Sequence, residues 1–148
     1  MKEQTQYWIA VVSKNHLMRG VNGGFMQANH GKEAPLKKLD RDDWVLFYSP
    51  KETFEGKDLL QAFTAIGQVA DDKIYQHTMT GDFIPYRRDM VFYKCEEIPI
   101  APLIDQLDFI ENKKSWGFKF RFGFFEIPEQ DFKLISSAMI KDKHVKIT

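Results

Sequence analysis

Tyr7-Trp8-Ile9-Ala10-Val11-Val12-Ser13 opens a unit that continues through the turn Asn22-Gly23-Gly24-Phe25-Met26-Gln27 and closes with Trp44-Val45-Leu46-Phe47-Tyr48-Ser49-Pro50. The first run is apolar on both alternating faces, the pattern of a strand covered on both sides near the middle of a sheet, and Ser13 marks its end. The Asn22-Gly23-Gly24 turn offers backbone positions that tolerate positive φ. The order of these pieces sets a hydroxyl, an aromatic ring and an amide near the ends of two strands, which suits a shallow pocket for a flat polar ligand. No nucleophile and base come together in the stretch. Binding, rather than catalysis, is the first expectation.

Working outward, Asn15 to Val21 reads as a short helix or turn, and Pro35 to Leu39 as a helical turn started by proline. Leu60 to Val69 reads as a strand with a break or bulge at Gly67, followed by strands over Ile74 to Met79 and Tyr86 to Cys95 around a Thr80-Gly81-Asp82 turn. A short helix is expected within Pro99 to Leu107. Phe118 to Phe125, FKFRFGFF, alternates phenylalanine with Lys119, Arg121 and Gly123, so a strand with one phenyl face is predicted. The best-specified element is the last helix. Pro128 fits its first turn, Glu129 and Asp131 complement the N-terminal dipole, Lys141 and Lys143 lie near its end, and Phe132, Ile135, Ala138 and Met139 form its apolar stripe. About six strands with short helices between them give an α+β domain around a curved, partly closed sheet, with no linker dividing residues 1–148.

A chain of 148 residues can bury about 68–70% of the surface it exposes when unfolded, so neither a disulfide nor a metal is needed to hold it. Thirteen Phe, five Tyr and three Trp build the core from rings, and any ring left at the surface becomes a stacking platform. Lys plus Arg and Asp plus Glu both total 21, a balance that argues against a protein coating nucleic acid indiscriminately. The N-terminus lacks the apolar region of a signal peptide, and no run approaches the roughly 18 apolar residues of a membrane span. The single Cys95 cannot form an internal disulfide and is read as a small buried hydrophobe. These features lead to the expectation of a cytoplasmic monomer with no membrane partner. His16, His30, His77 and His144 lack zinc-site spacing, so neither metal nor cofactor is expected.

Four blocks, YWIAVVS, GGFMQANHGK, APLKKLDRDDWVLFYSP and FIENKKSWGFKFRFGFFEIPEQDFKLI, together resemble the EVE domain, a family of PUA-like fold related to the YTH and ASCH domains. The resemblance implies a PUA-like β-barrel flanked by short helices and a C-terminal helix. It further implies a pocket at one mouth for modified bases in DNA or RNA. One departure is visible: many relatives carry Gly-Asp ahead of the second strand, where this chain has Asp42-Asp43.

Within that frame the expected base pocket consists of Ser13, Gly24, Phe25, Gln27, Tyr48, Ser49 and Trp116. Phe25, Tyr48 and Trp116 offer ring faces, Gln27 an amide with donor and acceptor, Ser13 and Ser49 hydroxyls, and Gly24 close backbone approach. Arg87, Arg88 and Lys32 are the expected phosphate contacts, with Lys113-Lys114, Lys119 and Arg121 as weaker candidates. No catalytic residue is assigned. The rival readings are an ASCH-like amidohydrolase or nucleoside-processing enzyme, for which His30, Lys32 and Glu33 would be the acid/base cluster, and a module for a small ligand or protein partner.

Overall fold

The computed structural model describes residues 4–79 and 81–141, so Thr80 of the expected turn, Lys143 of the last helix and His144 lie outside it. Strand β1 (Tyr7–Val11) runs parallel to β3 (Trp44–Lys51) on one side and antiparallel to β7 (Phe124–Ile127) on the other. A parallel pair needs a crossover, and residues 12–43 supply it with α1 (Lys14–Gly23), β2 (Phe25–Met26) and α2 (Glu33–Lys37). The long β4 (Leu59–Gln76) pairs antiparallel with β3 and with β5 (Tyr86–Phe92), and β2 adds to the outer edge of β5. The strand path β2-β5-β4-β3-β1-β7 does not close on itself, and the short β6 (Ile98–Pro99) attaches to β4. The last helix, α3, spans Glu129–Met139. No helix among the described residues is long and apolar enough to cross a membrane.

Strand alternation sorts the core into two clusters. Tyr7, Ile9, Trp44, Leu46 and Tyr48 point to one face, where Phe132, Ile135 and Met139 of α3 cover them. Trp8, Ala10, Val45 and Phe47 point to the other, under α1, α2 and the turn after α2 through Leu17, Leu36 and Leu39. Each fully buried ring or branched chain contributes about 1.5–3 kcal/mol, which is why a central strand is apolar on both faces. Pro128 precedes α3 with Glu129 and Asp131 in its first turn, and buried Asp131 accepts the backbone N–H groups of Asp108 and Phe109. Ala138 lies half-buried beside the stripe.

Asp42-Asp43 makes the turn into β3, with Asp43 N–H donating to Asp40 O. Asp42 adopts φ +73°, the left-handed region that Asp tolerates better than most residues. Asp43 is fully buried, accepting from Gln6 N, Trp8 Nε1 and Asp40 N, and thereby fixes the entry to β3 against β1.

Several local expectations need correction. The break or bulge foreseen at Gly67 is absent: Gly67 pairs in register with both Val45 and Phe92. Its lack of a side chain serves packing, because a Cβ there would stand 3.1 Å from Phe92 Cδ1 and 3.2 Å from Met90 Cε. The irregularities fall instead opposite Phe47/Tyr48 and Ser49/Lys51 and between Val69 and Ile74, so two expected strands form one bent strand, β4. Of Asn22-Gly23-Gly24, only Gly24 has positive φ, as the C-cap of α1. The phenyl-alternating run is also not one strand. Lys119–Phe122 forms a 3-10 turn, Gly123 at φ +76° ends it, and β7 begins at Phe124, so Phe120 is buried while Phe118 and Phe122 stand exposed.

Candidate functional site

Backbone hydrogen bonds gather five chain segments around the C-terminal end of β1. Val12 N–H donates to Tyr48 O, and Val11 N–H donates to Gly123 O at 2.8 Å, which draws the 120–123 turn to the strand end. Asn15 N–H donates to Glu52 O, tying the loop after β3 to the start of α1. Met90 N–H donates to Gly24 O and Tyr86 N–H to Gly31 O, which pins both ends of the 24–31 segment to β5. Met79 N–H donates to Phe83 O and closes the last segment.

These segments enclose a cavity of about 600 Å³, within the range of small-molecule sites. Ring faces come from Phe25, Phe47, Phe54, Phe83 and Phe120, and Met26 and Met79 add soft apolar surface. Phe54 is 58% exposed on a polar loop and stands between two imidazoles, edge-on to His30 at 5.6 Å and stacked with His16 at 6.3 Å. Polar groups at the wall include Ser13, Gln27 and Asn29, and cationic groups Arg19, Lys51 and Arg121. No described lining residue is Asp or Glu. In a chain whose charges balance, this local excess of positive charge over an aromatic wall favours an anionic or acceptor-rich ligand.

The 28–31 turn is held in an uncommon conformation. Asn29, His30 and Gly31 have φ of +45°, +63° and +84°, and a Cβ on Gly31 would meet Pro85 Cβ at 2.4 Å. Left-handed residues in sequence aim Asn29 and His30 at the cavity and give the turn little freedom to rearrange. The Ser13 hydroxyl donates to Asn15 Oδ1, and the Gln27 amide donates to Met79 Sδ at 3.6 Å, a weak contact that a ligand acceptor can displace.

Of the residues expected at the pocket, Ser13, Phe25 and Gln27 meet at the cavity wall. Gly24 lies next to it, and its left-handed backbone turns the chain from α1 into Phe25. Tyr48, Ser49 and Trp116 are elsewhere. Tyr48 is 2% exposed, stacked on Phe120 at 4.2 Å and edge-on to Phe63, because strand parity gives Phe47 the cavity face and Tyr48 the opposite one. Burial pushes the Tyr48 phenol well above its ordinary pKa. Ser49 is fully buried with its hydroxyl 2.7 Å from Thr64 Oγ1, and Trp116 packs half-buried against the Tyr48 side of the core.

The expected phosphate contacts are also redistributed. Arg88 is 3% exposed, and its guanidinium donates to Leu36 O and Leu39 O and, at 2.7 Å, to Asp71 O. Desolvation lowers its pKa, with Asp71, Asp72 and Asp40 opposing. It is a clamp between β5 and α2. Arg87 points to the other face, also buried, with its guanidinium 3.8 Å over the Phe25 ring, so it backs the cavity wall. Lys32 is exposed outside the cavity lining, and Glu33 pairs with Lys37 at 3.4 Å. Of His30, Lys32 and Glu33, only His30 faces the cavity. Among the described residues no cluster of three His, Cys, Asp or Glu could hold a metal ion.

Arg19, Asn29, Phe54 and Phe83 were not singled out from the sequence. Phe54 carried a usable signal, a lone aromatic in KETFEGK, and Asn29 another, the turn-forming Asn-His-Gly. Cys95 lies away from the cavity, half-buried against the core, and burial raises its thiol pKa despite a backbone hydrogen bond with Ile66. A raised pKa means less thiolate at pH 8, so native protein should react with a disulfide reagent several-fold more slowly than urea-unfolded protein; equal rates would contradict this placement.

The fold is shared widely. A YTH domain of Zygosaccharomyces rouxii in complex with N6-methyladenosine RNA superposes with a TM-score of 0.63 at 11% identity, over 93% of this chain and 88% of that one. A hypothetical protein from Leishmania major gives 0.59 at 10% identity, covering 93% and 96%. In sequence, the chain is 57% identical over 132 residues to a UPF0310 protein of Mycobacterium avium, covering 89% of this chain and 96% of that protein. A UPF0310 protein of Streptococcus mutans is 42% identical over 135 residues, covering 90% and 96%. The EVE domain model matches residues 6–138, and the chain belongs to the EVE domain family.

Proposed function

We propose that this chain is a nucleic-acid-binding module that takes a modified base, extruded from its strand, into the cavity at the end of β1 and leaves it chemically unchanged. The observation that carries the reading is the cavity wall itself: phenyl rings, an amide and a hydroxyl, with cations and no carboxylate among the described lining residues. A base out of its stack needs aromatic faces, and its Watson–Crick edge needs a few polar groups. Gln27, Asn29 and Ser13 supply the polar groups, while Arg19, Lys51 and Arg121 meet the flanking phosphates. The binding of N6-methyladenosine RNA by a YTH domain of the same fold supports this reading.

A methyl group alone is worth only about 0.8 kcal/mol of apolar contact, so strong selectivity requires a polar modification or a clash against the plain base.

Phe54→Ala is the cleanest probe. The side chain is more than half exposed, so its removal should change stability by less than about 0.5 kcal/mol. It should weaken binding of a single-stranded oligonucleotide carrying the recognised base by about 1–3 kcal/mol, the worth of one base–aromatic stack. Fluorescence anisotropy beside a thermal melt reads both quantities. Unchanged affinity with an unchanged melt would remove Phe54, and the wall it completes, from the binding site. Hydrolysis of an acylated nucleoside by the wild-type protein would instead favour the amidohydrolase reading.

A further inference from the structure

The 118–123 segment borders more than the cavity. A second concavity of about 520 Å³ has Phe122, Trp8, Phe125 and Lys38 in its wall, and Asn29 belongs to both. The divide between them is tight. A Cβ on Gly123 would stand 2.1 Å from Asn29 Oδ1, so a side chain there would push the Asn29 amide aside.

Two phenyl groups stand on this segment with no core to fill. Phe118 is 55% and Phe122 60% exposed, their rings meet edge-to-face at 5.8 Å, and the Arg121 guanidinium lies 6.0 Å from the Phe118 ring centre. Phe120, between them in sequence, is buried. Adjacent exposed rings beside a guanidinium make a platform on which any base can stack. Arg121 also lines the cavity, Lys38 lines the second concavity, and Glu126 is the one carboxylate among its described lining residues.

We propose that Phe118 and Phe122 form a subsite for the nucleotide adjacent to the base held in the cavity, so that the ligand is a single strand. The inference rests on the cavity reading above. The sugar-phosphate backbone crosses the divide at Asn29 and Gly123, where Arg121 meets the phosphate between the two nucleotides. A paired duplex hides its base faces in the stack and cannot use such a platform, whereas a free nucleoside gains nothing from it. Continuity with the cavity through Asn29, together with the positive charge of Arg121 and Lys38, favours a nucleic-acid strand over a protein partner.

The test uses two bases, N6-methyladenine and 5-hydroxymethylcytosine, each as a mononucleotide, as the centre of a five-nucleotide single strand in DNA and in RNA, and with the same five nucleotides annealed within the stem of a longer hairpin. Wild type, Phe54→Ala and the double variant Phe118→Ala/Phe122→Ala are titrated by calorimetry, with thermal melts and size-exclusion chromatography alongside. For at least one base, wild type should bind the single-stranded pentamer about tenfold or more tightly than the mononucleotide, and annealing should remove that gain. The double variant should lose the gain while keeping mononucleotide affinity, Phe54→Ala should weaken both, and the DNA and RNA arms rank the two sugars. A length gain that survives in the double variant, or an equal gain on duplex, overturns the subsite. So does a wild-type dimer that the double variant dissolves, which would make the patch a contact between copies. Mononucleotide binding without any length gain overturns the subsite alone. No binding of any probe overturns the cavity reading and the subsite together.

Discussion

Tyr48→Ala should cost about 3–5 kcal/mol of stability, the range for removing a large aromatic from a packed core. The ring is 2% exposed between Phe120 on the 119–122 turn and Phe63 on β4, in a packed core that cannot fully collapse into the space it leaves. Denaturant titration reads the change as a shift in midpoint at constant slope. Nucleic-acid affinity, measured at a temperature where the variant remains folded, should change far less than for Phe54→Ala. A stable Tyr48→Ala protein with lost binding would put the ring back in the pocket.

Arg88→Met should be comparably damaging, about 3 kcal/mol or more. Methionine keeps part of the stem's packing but takes the guanidinium donor from the buried Leu39 carbonyl and the part-buried Asp71 carbonyl, and leaves Leu36 O with backbone donors alone; an unsatisfied buried acceptor costs about 1–3 kcal/mol. Two of the three carbonyls belong to α2 and the turn after it, which carry the chain from the cavity-facing 28–31 turn toward β3. Loss of binding in this variant should therefore follow loss of folding. A thermal melt within a degree or two of wild type, joined to a weaker and less salt-dependent interaction with oligonucleotides, would show that Arg88 meets phosphate after all.

These two residues mark where the sequence could be read and where it could not. The double-faced apolar pattern of Tyr7 to Val11 identified β1 as a strand paired and covered on both sides, although it lies beside the terminal β7 rather than at the middle of the sheet, and Pro128 with its acidic first turn placed α3, because both signals are local. At Tyr48 the strand was legible but its parity was not: only the register with β4 decides that Phe47 faces the cavity and Tyr48 the core. Arg87 and Arg88 look alike as neighbouring cations, yet one stacks on Phe25 and the other clamps α2, a difference set by partners 62 and about 50 residues distant. The Phe118 to Phe125 run misled for a physical reason. Alternation describes a strand only while the backbone stays extended, and Gly123 at φ +76° separates a 3-10 turn from β7. Phe54 and Phe83 reach the site from loops and Arg19 from α1, segments gathered by backbone hydrogen bonds such as Asn15 N–H to Glu52 O that no window of sequence contains.

The central claim is that a modified base enters the cavity and is told apart from its unmodified parent. Its most direct test is the affinity of the wild-type protein, at one fixed salt concentration, for a series of single-stranded oligonucleotides identical except for one central base, each modification set against its parent. At least one modified member should bind about tenfold or more tightly than its parent, a difference of about 1.4 kcal/mol. That preference should persist as salt lowers every affinity in the series together, since phosphate contacts carry no base information. Equal affinity for every member, modified or plain, would contradict the account.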